Sequence, residues 1–408
     1  MIHEILIENF MSIKNELRLS LEASPSKKLP NNLISSNSDN LLKSVVIYGA
    51  NASGKSNIIK AVFFLWNMVA NSHQFNVNSK IPRIPFKLDS KYEQKPSRFE
   101  INFTYEKIKY KYGFSCDNEK IIDEYLFYSP KGRLALVFKR EKTNKFTFTS
   151  DNTKQENIKS QTLSNTLYLS RATQLGYDKT KKAYEFIMNN IVINMNPNWQ
   201  GYTFKKIHED PKLKDKIVEI LRKADFGGIE DIKIKKERRK GKEIKIEKDG
   251  FSQRDVEDDF YEPSFSHKKK QGDKEIDVEF NINEESEGTQ KVLAMLGSIL
   301  DMLEQEKIMF IDELELNLHP EITKLLIKLF HNKSNTKAQL VFTTHDTNLL
   351  DNELFRKDQI YIVKREPNGP TILTSFSEFD LRQEHDFERA YLTGRVGGLP
   401  FIDETLVD

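Results

Sequence analysis

An apolar run that stops at a glycine-rich turn and resumes as a helix constrains this chain more than any other feature. Residues 41–49, LLKSVVIYG, read as a buried strand, residues 49–56 read GANASGKS, and NIIKAVFFLWNMVA after them has the apolar density of a buried helix. Strand, glycine turn and helix form the setting that GxxxxGK[ST] needs. The glycines let backbone N–H groups turn inward around phosphate oxygens, and the helix points its positive end at the same place. Gly49, Asn51, Ser53, Gly54, Lys55, Ser56 and Asn57 are therefore the candidate nucleotide contacts. Lys55 is expected to reach the β and γ phosphates, and Ser56 to ligate Mg²⁺. The aromatic stretch VFFLWNM reads as core.

Three further segments place polar groups at the ends of apolar elements. Ile308-Met309-Phe310-Ile311 runs into Asp312 and Glu313. A carboxylate pair at a strand tip suits Mg²⁺ binding by the first acid and polarisation of water by the second. Glu315 is a rival for the base role, with a less natural spacing. Ser286-Glu287-Gly288-Thr289-Gln290 opens a helix. It reads either as a plain cap, with Ser286 capping, or as a second anion site. Thr343-Thr344-His345-Asp346 ends the strand QLVFTT, where His345 is placed to hydrogen-bond a γ-phosphate and sense its loss. Open parallel sheets gather ligands at the carboxyl ends of their strands.

The rest of the chain supplies a frame for these motifs. Residues 2–10 and 15–21 read as strands, and 24–40 as a polar loop. Between about 80 and 150 the apolar period is two, which predicts an antiparallel meander. NTLYLSRATQLGY (165–177) reads as a further strand and its exit, and 180–230 as helical. Residues 231–275 are highly charged, reading as an exposed hairpin around Gly241 or a partly mobile insertion. Its KIKKERRKGK run is either a nucleic-acid surface or a solvated face diluted by Glu237, Glu243 and Glu247. A strand at 276–282 and a helix at 288–304 follow. The partition expected is 1–175 as a first lobe, 176–275 as a helical and charged arm, 276–375 as a second lobe, and 376–408 as a tail. Within the tail, Tyr391–Ile402 reads equally as a docking segment or as chain packed on its own head.

Composition narrows the class. A charged content of 30% against 38% hydrophobic is a soluble globular balance, and no run approaches the ~20 apolar residues of a membrane span. The opening MIHEILIENF lacks the basic and apolar regions of a signal peptide. One cysteine, Cys116, excludes an internal disulfide and a cysteine-based zinc site within one chain, so a cytoplasmic location is expected. A net charge of +2 makes no whole-chain case for nucleic acid.

In order, phosphate loop, long insertion, SEGTQ, IDE and TTHD resemble the ABC ATPase heads of the SMC, RecF and OLD branch. SEGTQ is similar to their divergent signature motif, IDE to their Walker B motif, and TTHD to their switch histidine. IENFMSIKN looks like their opening strands, and Leu318-His319-Pro320 like the segment after Walker B in OLD-type proteins. The resemblance covers roughly 1–175 and 276–375. It implies an α/β P-loop head, a mixed sheet core with an antiparallel meander. It also implies ATP and Mg²⁺ as ligands and a homodimer, or a higher oligomer, in which Ser286 and Gly288 close over the partner's nucleotide. Gln174 sits where these heads carry the Q-loop, so a contact to nucleotide and metal is implied for it. Glu313 is then the base, with Lys55 and His345 on the phosphates. About 110 residues separate Gln174 from Ser286, without sustained heptads or a CxxC. Long-range tethering of DNA is not expected.

More narrowly, the NFMSIK start, IPFKLD, IDELELNLHP and the ending RAYLTGRVGGLPFID look like the RloA- or AbiLi-type prokaryotic ATPases, relatives of those in PARIS, Septu and OLD systems. These are anti-phage or abortive-infection proteins, commonly encoded beside a separate nuclease or toxin. The reading this implies is a sensor ATPase with an effector as partner. The alternative is a RecF-like clamp on duplex DNA. A transporter subunit fits poorly, because LSGGQ is absent.

Overall fold

The structure is a computed structural model of the 408-residue chain; it describes all residues except 36–39, 195–198, 225–227, 248–249, 273, 317, 366–367, 380–386 and 400–408. Two compact units are present: Met1–Asn196 with Gln305–Glu315 and Ile327–Asp408, and Pro197–Glu304 with Leu316–Leu326.

Two large sheets dominate the first unit, and their burial patterns follow from their sequences. Phe99, Ile101 and Phe103 alternate inward on one strand, and Tyr110, Tyr112, Phe114 and Cys116 on its neighbour. Such period-two patterning belongs to an antiparallel sheet with one buried face. Seven strands are ordered Lys145–Phe148, Ala135–Glu141, Ile121–Ser129, Ile108–Cys116, Ser97–Tyr105, Ile2–Glu8, Leu17–Ser20, all neighbours antiparallel. The predicted meander is therefore present, extended by the N-terminal hairpin. Ser44–Gly49 and Gln339–Thr344 are instead buried at every position, as central parallel strands must be. They sit mid-sheet in the order Ile191–Asn194, Ile308–Ile311, Gln339–Thr344, Ser44–Gly49, Ile360–Arg365, Thr371–Ser375; only the last pair is antiparallel.

Helix Lys55–Asn71 leaves the phosphate loop and fills the core. Ile58, Ile59, Val62, Leu65, Met68 and Val69 are buried at helical spacing. Phe64 meets Phe10 and Phe99 of the antiparallel sheet at ring separations of 5.4 and 4.8 Å. The reading of VFFLWNM as wholly core is corrected at two positions: Phe63 is 43% exposed and stacks on half-buried Trp66.

Residues 165–177 are not a strand. They form helix Tyr168–Gln174, because Glu124 reaches over from the Ile121–Ser129 strand. Its carboxylate accepts the N–H groups of Tyr168 (2.6 Å) and Leu169 (2.9 Å). A distant side chain thus satisfies the orphan donors of the first turn, which local sequence does not show. Within 180–230, helices Asp178–Asn190, Gln200–Glu209 and Pro211–Lys223 are present, but strand Ile191–Asn194 interrupts them and pairs in parallel with Ile308–Ile311. The expected loop at 24–40 contains the small pair Leu33–Ser35 and Asn40–Leu42.

The second unit holds two of those helices, helix Glu287–Glu304 and a three-stranded antiparallel ribbon, Ile229–Glu247, Gly250–Gln271 and Lys274–Asn281. Gly297 allows close helix approach: a Cβ there would lie 2.6 Å from Thr203 Oγ1, whose hydroxyl donates to Ala294 O. The hairpin expected around Gly241 reverses later, between Glu247 and Gly250, and Gly241 pairs with Val256 inside the ribbon. The predicted strand at 276–282 is present as Lys274–Asn281.

The described part of the tail packs on its own unit. Tyr391 is buried 6.0 Å from Tyr48, and its hydroxyl donates to Gly398 O at 3.0 Å. Residues 400–402 of that segment lie outside the described residues. Among the described residues no helix is long and apolar enough to cross a membrane.

Candidate nucleotide site

Register brings three strand tips of the first unit together. Ser44–Gly49 pairs in parallel with Gln339–Thr344, which pairs in parallel with Ile308–Ile311. The residues after their carboxyl ends are the phosphate loop, His345 and the Asp312–Glu313 pair. Lys55, Asp312, Glu313 and His345, far apart in sequence, thus share one edge of one sheet.

The loop's shape is fixed by close backbone approach. A Cβ at Gly49 would fall on the Val363 carbonyl oxygen of the neighbouring strand. At Gly54, φ is +107°, and a Cβ would fall on the Thr371 hydroxyl and 2.7 Å from Ser12 Oγ. Both are positions only glycine fills without strain. Thr371 Oγ1 donates to Ser53 O at 2.8 Å and lies 2.7 Å from Ser12 Oγ, which also accepts from Asn57 Nδ2 at 2.6 Å. Ser12 and Thr371 therefore brace the loop from behind. Neither was singled out in the sequence, where the only signals are the serine of NFMSIK and a threonine at a strand start. Asn51 is exposed, and Ser56 and Asn57 are half-buried at the start of the helix.

Lys55 is buried, with Nζ donating to Gly49 O (2.8 Å) and Ala50 O (3.1 Å). Burial lowers its pKa to about 8 against the opposing pull of Asp312, Glu313 and Glu315. Nζ also donates to His345 Nδ1 at 3.4 Å. Burial, and then the Lys55 charge, hold His345 below the usual histidine value, so the ring is neutral at pH 7. Nε2 lies 4.0 Å from Glu313 Oε1.

Thr343 ties the two acids to strand Gln339–Thr344. Its hydroxyl donates to Asp312 Oδ1 at 2.6 Å and accepts from Glu313 N at 2.8 Å, and its carbonyl accepts from Leu314 N at 3.1 Å. Glu313 adopts φ +53°, a left-handed conformation costing a non-glycine residue about 1–2 kcal/mol. Three bonds to one threonine hold that conformation. Sequence reading places Thr343 at a strand end but gives its hydroxyl no role, because its partners lie about thirty positions away.

ATP with Mg²⁺ fits these residues. The loop combines a buried cation, two glycines that let its backbone pass close to its neighbours, and Ser53 Oγ, which is buried without a hydrogen-bond partner. Unfilled donors beside a positive group suit a polyphosphate. Ser56 and Asp312 supply oxygen ligands of the type Mg²⁺ takes.

The other expected residues belong to other elements. Ser286 and Gly288 belong to the second unit. There Ser286 Oγ accepts from Thr289 N at 3.0 Å, the geometry of a helix cap, and Gln290 Nε2 donates to Glu285 O at 2.9 Å. Ser286 is exposed, and a Cβ added at Gly288 would meet nothing closer than 3.7 Å, so the helix start is open. Gln174 ends helix Tyr168–Gln174 rather than a strand; it is exposed, and its carboxamide oxygen accepts from Arg171 at 2.6 Å. His319 is exposed in the second unit. On the ribbon, Lys236 pairs with Asp259 at 2.7 Å and Arg239 reaches Glu262 at 3.6 Å, so acids of the facing strand offset part of the basic run.

Fold and site together define a P-loop ATPase of the ABC/AAA type. Residues 44–351 match the family described as "AAA domain, putative AbiEii toxin, Type IV TA system", and the chain belongs to that family. Among solved structures it is similar to a Smc head bound to the C-winged helix domain of ScpA (15% identity, TM-score 0.40, covering 92% of this chain and 98% of that one). It is similar also to the SMC head domain from Thermotoga maritima (13%, 0.41, 92% and 98%). A third is a Smc head with an extended coiled coil, bound to the C-terminal domain of ScpA, from Pyrococcus furiosus (14%, 0.42, 92% and 97%). No curated protein matches the sequence.

Proposed function

We propose that this chain hydrolyses ATP and uses the nucleotide to switch its assembly. The observation that carries the reading is the convergence of Lys55, Asp312, Glu313 and His345 at the carboxyl ends of three adjacent parallel strands. In this reading Gly49, Asn51, Ser53, Gly54 and Asn57 cradle the phosphates, and Lys55 neutralises them. Bound Mg²⁺, held by Ser56 and Asp312, supplies charge neutralisation on the transferred phosphoryl group. Glu313 accepts a proton from water, and neutral His345 donates its ring N–H toward the γ-phosphate. Ser286 and Gly288 act on the nucleotide of a second copy, and Gln174 reports on nucleotide from its helix end.

The biological role proposed is that of a sensor or regulator ATPase in anti-phage defence, acting on a separate nuclease or toxin. The family description, which names a type IV TA system, associates the fold with toxin systems, and the RloA- or AbiLi-like pattern of motifs supports the regulatory role. The offset charge of the ribbon weighs against a clamp that grips DNA by its backbone.

The test is the solution mass of Glu313→Gln with and without ATP and Mg²⁺. A nucleotide-dependent rise in subunit number supports the switch; a monomer that binds ATP and never associates sinks it. Phage resistance unchanged by Lys55→Ala in a host with an active locus refutes the defence role.

A further inference from the structure

Glu315 lies three residues past Asp312 and is a rival base with a less natural spacing. Its surroundings give it other work. Glu313 turns the chain through its positive φ, and Leu314, buried, donates its N–H to Thr343 O. The chain is thereby folded back against the strand that carries the switch histidine. From there Glu315 Oε1 accepts the backbone N–H of His345 at 2.5 Å, while Oε2 is buried without a hydrogen-bond partner. Burial holds this carboxyl above the usual glutamate range, although the His345 N–H, its own N–H and the Thr344 hydroxyl pull the other way.

Two anchors therefore fix His345: its backbone is held by Glu315, and its ring nitrogen by Lys55. A base must meet water, and the Glu313 side chain is 44% exposed beside the ring. The Glu315 carboxylate is instead spent on donors of the His345 strand end, the His345 N–H and the Thr344 hydroxyl. We propose that Glu315 is a positioning residue that locks the switch loop to the Walker B loop, so that His345 stands ready for the γ-phosphate. The inference rests on the ATPase reading above, with His345 acting on the phosphate. Losing the carboxylate frees the loop and lowers the rate of the chemical step. Nucleotide binding, which depends on the phosphate loop, is preserved.

Steady-state ATPase rates and ATP affinities of the full chain test this in Glu315→Ala, Glu315→Gln, His345→Ala and the Glu315→Ala/His345→Ala pair. A lost hydrogen bond to a charged group predicts a kcat about tenfold lower for Glu315→Ala at unchanged ATP affinity, which also reports that the variant is folded. Glu315→Gln keeps an oxygen for the His345 N–H and returns kcat to within about threefold of the parent. The double variant is no slower than His345→Ala, because both changes remove one function. Multiplicative losses in the double variant, or a Glu315→Gln as slow as Glu313→Gln, overturn the inference alone. A His345→Ala at parental rate overturns the switch role of His345, and this inference with it.

Discussion

Raising the pH from 7 to 9 is expected to weaken ATP binding about tenfold through one proton on one lysine. Burial in the phosphate loop brings Lys55 to about 8, well below an exposed lysine. At pH 7 roughly ten of eleven molecules carry the ammonium, and at pH 9 roughly one of eleven. If only the charged form holds the γ-phosphate, apparent affinity follows that fraction. The sign is fixed: a depressed lysine loses charge, and therefore affinity, as pH rises through 8. Bound polyphosphate restores the proton, so binding at pH 9 takes up close to one proton and binding at pH 6.5 takes up almost none. Calorimetric titration of ATP into Glu313→Gln, in buffers of differing ionisation enthalpy, reads both quantities. Lys55→Arg stays charged throughout and flattens the profile even where it binds less tightly. An affinity constant between pH 7 and 9 in the parent, with no proton uptake, refutes the argument.

Three further outcomes follow from the same geometry. Glu313→Gln should retain ATP but turn over about 10²-fold more slowly, read by phosphate release; normal turnover would remove Glu313 from the base role. Gly54→Ala adds about 1–2 kcal/mol of left-handed strain and drives a Cβ onto the Thr371 hydroxyl, so ATP binding should vanish by calorimetry; retained binding means the loop has room the structure denies it. Asn9 is fully buried in a left-handed conformation, donating to Tyr92 O and Lys95 O and accepting from Phe86 N. Asn9→Ala should cost about 3 kcal/mol in urea unfolding by leaving those groups unpaired, and a loss under about 1 kcal/mol contradicts that accounting.

What the sequence determined by itself was whatever is written in contiguous residues. GANASGKS carries its own loop, because its glycines and lysine act within eight positions. IMFIDE and QLVFTTHD announce strand tips, because burial and its polar end are adjacent in the chain. Period-two runs between 97 and 148 give the meander for the same local reason. Tertiary structure decided what depends on distant partners. Residues 168–174 are helical because Glu124 caps them, and Ile191–Asn194 is a strand because Ile308–Ile311 offers an edge. Ser12 and Thr371 reach the phosphate loop from positions 359 residues apart. Thr343 orients both acids, and Glu315 holds the His345 backbone across thirty residues. A hydroxyl or carboxylate has the same appearance in a sequence whether it faces water or fixes a catalytic turn. Only the fold brings it within the 2.5–3 Å at which a hydrogen bond sets position.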